Sequence, residues 1–386
     1  MHVYDLDCGW IKVTQKNQID KIKKSGVKES HIDTDKGIDV GEEPTVENEN
    51  IETVDGPESL PPDVRSVAQK QSLTCELLNA TKVKKEAIQV VSKIMEDARL
   101  GKLIDLDHIE PVVENIVFSA LNNKDALLGL MRIRKLDRYT FEHSVGSSIL
   151  LVAFGESLAL DDDELMQVGM GGLLMDIGKS VMPPSILAKP GKLSDAESAI
   201  MRKHVAHSED ILGKIPNISD IVMKIAAEHH ERTDGSGYPL GKAGEDISLY
   251  GQMAAIVDVY DALTVPRVYS KERSPNSALK KLVSNTGGFN QELVQQFIHC
   301  VGIYPIGSLV ALSNGAFAVV IESGDKGLLY PIIRVIFDST KRQFITPQDI
   351  DLSDQREQEI VRIVGAVEPA KWRIKPTDFM EHAKYG

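Results

Sequence analysis

At 386 residues with 42% hydrophobic content, the chain can bury one large core and one or two smaller ones. A formal net charge of -13 argues against broad binding to nucleic-acid polymers or anionic membranes, while leaving room for a small basic pocket that takes a nucleotide-sized anion. Cys8, Cys75 and Cys300 are far apart and form no CxxC pair, which excludes a disulfide framework or zinc ribbon and fits a reducing, cytoplasmic compartment.

The first residues, MHVYDLDCGWIKV, lack the charged and apolar regions of a leader, and no apolar run approaches the roughly 18 residues that cross a bilayer. Residues 1–35 combine short apolar runs, a helix expected over 19–25, and a turn at Gly26 leading into a strand over 27–32, a small α+β domain. Residues 36–62 are acidic, poor in apolar side chains and broken by Gly and Pro, the composition of a linker. Residues 63–106 read as a long connecting helix, because Val67, Leu73, Leu77, Ala80, Val83, Ala87, Val90, Val91 and Ile94 recur at helical spacing. Its apolar stripe either packs within the chain or forms the seam of a homodimer. From 107 to 303 helix follows helix, with dense loop signals only at 183–192 and 233–244. Ser194 and Glu197 form a capping box that opens a helix expected to run through His204. In the remainder, 304–386, the β-branched runs 308–321 and 328–337 read as a hairpin, a β-rich appendage with a tail. The fold class expected is therefore mainly α, with a small N-terminal α+β domain and a C-terminal β-rich appendage.

Four of the ten histidines, His143, His204, His229 and His230, fall in apolar, helix-patterned surroundings. Asp176 in GGLLMDIGK and Asp258 in MAAIVDVYDAL are carboxylates in strings that would bury them, which is costly unless something compensates the charge. Divalent metal ions do so, since neutral imidazoles and carboxylates are good ligands for iron, manganese or zinc and a carboxylate can bridge two ions. Asp261, three residues after Asp258, reads as hydrogen-bonding support for a ligand rather than a ligand itself. His299 and Cys300 read as structural.

The string HHERTDGSGYP at 229–239 is accompanied by YTFEHS at 139–144, MDIGK at 175–179 and DVYDALTVPRVY at 258–269. In composition, order and spacing these motifs resemble the HD-GYP family of bacterial signalling proteins over residues 120–303, and the first 35 residues resemble a small domain of unknown function that often precedes it. The resemblance implies an all-helical HD-type domain that hydrolyses cyclic di-GMP to pGpG and onward to GMP with two divalent ions, iron or manganese. It implies that His143, Asp176 and Asp258 hold one ion and that His204, His229 and His230 hold the other, with Asp176 bridging. Asp176 and Lys179 take the catalytic roles, and Lys179, Arg232, Gly235, Gly237, Tyr238 and Arg267 meet the substrate. The GYP loop is also a surface for signalling partners. The chain departs from the family at Met175, which stands where the eponymous histidine belongs. A soft thioether is a poor ligand for hard, water-activating ions, so the first site is one ligand short. Tyr139 replaces the glutamate of the trinuclear branch, and Ser270 a basic residue that often follows the Arg-x-Tyr. Two other readings stand beside the enzyme: an inactive cyclic di-GMP sensor or interaction module, and a phosphodiesterase for another cyclic dinucleotide such as 3′,3′-cGAMP.

Overall fold

The computed structural model describes residues 2–5, 9–12, 30–33, 62–132, 139–264, 274–324, 327–354 and 361–380. The chain divides into two units, Met1–Asn79 and Ala80–Gly386. In the first, strands β1 (His2–Asp5), β2 (Gly9–Lys12) and β3 (Ser30–Asp33) form an antiparallel sheet of order β2-β1-β3. The strand expected over 27–32 is described as Ser30–Asp33, while the helix expected over 19–25 and the acidic segment 36–61 lie outside the described residues.

Helix α1 runs over Pro62–Arg99, shorter than the segment 63–106 assigned to it. It stops where Lys102 N bonds back to the Asp97 carbonyl and Gly101 takes φ +70°, a left-handed stop that glycine accommodates without strain. Within the second unit Ala80, Val83, Ala87, Val91, Ile94 and Ala98 form its buried stripe, at the three- and four-residue spacing of one helix face.

The helical domain continues with α2 (Glu110–Leu130), α3 (Tyr139–Ser157), α4 (Asp162–Leu174), α5 (Pro184–Leu187) and α6 (Asp195–Arg202). It closes with α7 (His204–Leu212), α8 (Asp220–Glu228), α9 (Leu249–Thr264), α10 (Pro275–Ser284) and α11 (Gln291–Val301). Helix α3 sits at the centre, packed against α2, α4, α9 and α11. Its Phe154 meets Phe297 of α11 edge-on, and Phe297 in turn meets Tyr260 of α9. Burying an apolar side chain of this size contributes about 1.5–3 kcal/mol, so α3 is the rigid post on which the site is hung.

Ser194 and Glu197 complete their capping box, but the helix they open ends at Arg202 instead of running through His204. Lys203 N bonds to the Ile200 carbonyl, tightening the last turn, and the Met201 carbonyl accepts from the His204 ring at 2.7 Å. His204 therefore opens α7, and its side chain is fixed by the preceding turn.

Strands β4 (Leu309–Leu312), β5 (Ala316–Glu322), β6 (Ile332–Asp338), β7 (Gln343–Asp351) and β8 (Ile363–Ala366) form an antiparallel sheet of order β7-β6-β5-β4-β8. The run 308–321, read as one arm of a hairpin, is two strands split by a turn at Gly315, whose φ is +82°. Both faces are covered: Val310, Leu312, Ala318, Val320 and Ile333 on one, Leu309, Phe317, Val319, Ile336 and Phe337 on the other. Two-sided burial removes the alternation that would have separated the strands. Asp125 of α2 accepts from Ser323 N at 2.6 Å and Ser323 Oγ at 3.0 Å, tying the sheet to the helical domain. Among the described residues no helix is long and apolar enough to cross a membrane.

Candidate metal centre

Asp176 lies just past α4, between Met175 at the helix end and a 3-10 turn over Ile177–Val181. That turn rests directly on the start of α7. A Cβ at Gly178 would lie 2.0 Å from the His204 carbonyl oxygen, so only glycine permits the approach. Gly178 N donates to Ser208 Oγ at 2.9 Å, and that hydroxyl donates to the Met175 carbonyl at 2.8 Å. Asp176 is thereby held against His204.

His143 projects from α3 towards Asp258 and Asp261, which lie one turn apart on the same side of α9. Its Nδ1 is 2.7 Å from Asp261 Oδ2, and its Nε2 is 3.1 Å from Asp258 Oδ1 and 3.4 Å from Asp176 Oδ2. His229 follows directly on α8, with Nδ1 2.9 Å from the Ala226 carbonyl, just as His204 Nδ1 faces the Met201 carbonyl. A carbonyl oxygen only accepts, so both Nδ1 atoms carry the proton and both Nε2 atoms present a lone pair. These lone pairs face Asp176 Oδ1, at 3.3 Å from His204 and 3.7 Å from His229. His230 Nδ1 lies 3.6 Å from Asp258 Oδ2. Ligand atoms of Asp176, His204, His229 and His230 all lie within 4.8 Å of one another.

This set fits a divalent ion. Asp176 Oδ1, His204 Nε2 and His229 Nε2 are buried and have no hydrogen-bond partner among the described residues. Leaving a buried acceptor unpaired costs about 1–3 kcal/mol. Three acceptors from three separate elements, facing one another with no donor between them among the described residues, form an arrangement that a cation stabilises.

The electrostatics agree. Burial alone would raise the Asp176 carboxyl, but the Lys179 ammonium and the imidazoles of His143, His229 and His204 hold it well below the usual carboxylate range. Burial opposes ionisation of Asp258 too, and there the His143 hydrogen bond and the His230 ring win, lowering its pKa. Burial lowers His204 to about 4, only partly offset by Asp176, and it lowers His230 well below the ordinary histidine value, reinforced by His229. At neutral pH His204 and His230 are therefore uncharged and the carboxylates ionised, the protonation states that ligands need.

Lys179 belongs to the centre, with Nζ 2.5 Å from Asp176 Oδ2. The Tyr238 ring stacks on His230 at 4.6 Å between centroids, and the Arg202 guanidinium lies 4.8 Å from the Tyr238 ring centre. Burial raises the Tyr238 phenol above its ordinary value. Gly237 packs on the Glu231–Arg232 backbone, where a Cβ would be 2.4 Å from Arg232 N, and Gly235 takes φ +76°. Arg232 is turned inward, with Nη1 2.7 Å from the Glu231 carbonyl and its guanidinium 5.0 Å from the Phe289 ring centre. Met175 is fully buried. Arg267 and Ser270 lie outside the described residues. Sequence reasoning missed Glu228, Glu231 and Lys242 around the histidine pair, and Lys84 of α1, which pairs at 3.0 Å with Glu142 beside His143. The two glutamates flanking HH were the one local signal for any of these.

Comparison with known proteins places this arrangement. Residues 118–293 match the HD domain family, so the helical core is of the HD class. Residues 1–109 match a domain of unknown function, and 309–371 a KOW domain associated with the HD domain. A cyclic di-GMP phosphodiesterase of Pseudomonas aeruginosa is 37% identical over 363 residues, which is 94% of this chain and 86% of the relative. A 3′3′-cGAMP-specific phosphodiesterase of Vibrio cholerae is 39% identical over 138 residues, 35% of this chain and 26% of that protein. A cyclic di-GMP phosphodiesterase response regulator of Xanthomonas campestris is 38% identical over 133 residues, 34% of this chain and 35% of that protein. The chain belongs to the HD-GYP family.

Proposed function

We propose that the chain is a metal-dependent phosphodiesterase that hydrolyses cyclic di-GMP to pGpG and GMP, using two divalent ions, iron or manganese. The observation that carries this is the position of Asp176: Oδ2 faces His143 and Oδ1 faces His204 and His229, which supports a reading in which one carboxylate would serve both ions. His143, Asp176 and Asp258 would hold one ion, and Asp176, His204, His229 and His230 the other. When bound, two such ions lower the pKa of water and stabilise charge on the attacking and leaving oxygens of an in-line displacement. The protein's own groups do the rest. Asp261 accepts from His143 Nδ1 and so presents Nε2 inward. Lys179 places an ammonium beside the bridging carboxylate, where it neutralises a phosphoryl oxygen through a charge-assisted hydrogen bond. Tyr238 gives the nucleotide an aromatic wall and a hydroxyl, and Gly237 lets the loop that carries it pack on the Glu231–Arg232 backbone. Arg232 is engaged with loop carbonyls, so it shapes the wall while Lys179 and Arg267 take the phosphates.

The test pairs elemental analysis of anaerobically purified protein with chromatography of products from cyclic di-GMP in excess manganese or ferrous iron. Two ions per chain with pGpG or GMP formed is the expected result. Binding of cyclic di-GMP without product would overturn the enzyme in favour of a sensor. Faster turnover of 3′,3′-cGAMP would move the substrate to that dinucleotide, in line with the Vibrio relative.

A further inference from the structure

The two glutamates that flank the histidine pair have no part in the chemistry above, yet both are buried. Glu231 turns both oxygens onto the backbone that follows the GYP triplet: Oε1 accepts from Leu240 N at 2.8 Å and Oε2 from Lys242 N at 3.0 Å. Glu228 reaches the same segment from the other side, with Oε1 2.6 Å from Lys242 Nζ. Its Oε2 accepts from Ser248 N at 2.9 Å and Ser248 Oγ at 2.6 Å, and Ser248 Oγ accepts from Gly251 N at 3.1 Å, the first turn of α9. A Cβ at Gly251 would lie 2.4 Å from Glu228 Oε2, so α9 begins directly on this carboxylate. Lys242 is the common member, giving its backbone N–H to one glutamate and its ammonium to the other. Tyr238 stands two residues before the first of these tied positions, and its own N–H donates to the His230 carbonyl at 3.2 Å.

We propose that Glu228, Glu231 and Lys242 form a positioning lock that fixes the GYP loop, and with it Tyr238, against His230, so that the loop's placement is set by the same four-residue stretch that supplies two metal ligands. None of the three touches the reacting atoms; they act through Tyr238. The kinetic part rests on the phosphodiesterase reading, whereas the structural part does not.

Lys242 is about a third exposed, so its ammonium can be removed without opening the core. In Lys242→Met, metal content stays at the wild-type value, kcat stays near wild type, and KM for cyclic di-GMP rises about fivefold or more, as expected when a charge-assisted tie to a loop is lost. Lys242→Arg, which keeps the cation, restores KM. Hydrogen exchange of residues 236–242 in the manganese-loaded protein supplies a readout that needs no turnover: Lys242→Met speeds it and Lys242→Arg does not. Unchanged exchange in Lys242→Met overturns the lock even if the wild-type protein proves inactive. Faster exchange with unchanged KM in an active enzyme overturns the positioning role.

Discussion

On the Oδ1 side of Asp176, His204 and His229 present bare Nε2 atoms whose other nitrogens are tied to backbone carbonyls, and among the described residues no hydrogen bond occupies the space between them. On the Oδ2 side, His143 gives its Nδ1 proton to Asp261 and sets Nε2 3.1 Å from Asp258 Oδ1, and the Lys179 ammonium lies against Asp176 Oδ2. An ion entering the first half meets unspent lone pairs. An ion entering the second must displace the Lys179 ammonium from Asp176 Oδ2, and Met175 adds no hard donor to help. On the two-ion reading the centre would therefore have a strong half and a weak half sharing one carboxylate, and its metal affinity is expected to divide accordingly.

Removing the shared carboxylate should have the largest effect. Asp176→Ala leaves neither half with a bridging oxygen, so bound metal falls below one ion per chain and turnover drops by about 1000-fold or more, consistent with the share of rate that such ions supply. Unchanged hydrolysis in that variant breaks the two-half picture outright. His229→Ala and His143→Ala separate the halves: the first should lose the tightly held ion, while the second should retain one ion after dialysis against weak chelator. Equal losses in the two variants would show that the halves bind as a unit. Asp261→Asn acts one step further out, replacing the acceptor that orients His143, and should weaken only the second ion, by about 10–100-fold in affinity.

The candidate ligands were legible because each is a charged or imidazole residue in a string otherwise fit for the core, and α3 and α9 carry that contrast clearly around His143 and Asp258. The break after Arg202 was not, because it depends on a hydrogen bond from His204 to the turn before it and on Gly178 pressing against α7 from another part of the chain. The five-stranded sheet was half legible. Continuous apolar runs announced β5 and β6, whereas β7, with its QFITPQDID and mostly exposed side chains, offered no buried face to read. Of the lock around the histidine pair only the glutamates flanking HH were signalled, for a different reason: Glu228 and Lys242 are 14 residues apart, and nothing in the sequence pairs them.

Smaller effects sharpen the comparison. Met175→His supplies a hard donor beside Asp176 at a fully buried position, so the manganese concentration needed to fill the second half should fall about tenfold, as read by titration of bound metal. No change would mean that the methionine backbone, held by Ser208, does not let a side chain reach that half. The smallest effect concerns acid. Folded His204 stays neutral down to about 4, against an ordinary value of 6.5, because burial opposes its charge. The unfolded chain takes up that proton first, so between about 6.5 and 4 acid favours unfolding and the metal-free protein loses stability across that window. Asp176, held below its ordinary value of 3.8, withdraws its own contribution only at lower pH. Thermal melts in chelator should therefore fall by a few degrees from pH 7 to about 5, and His204→Gln, with nothing to protonate, should flatten the slope. An identical slope in that variant would assign the acid sensitivity to another histidine of the centre, with His230, also held neutral by burial, the next to substitute.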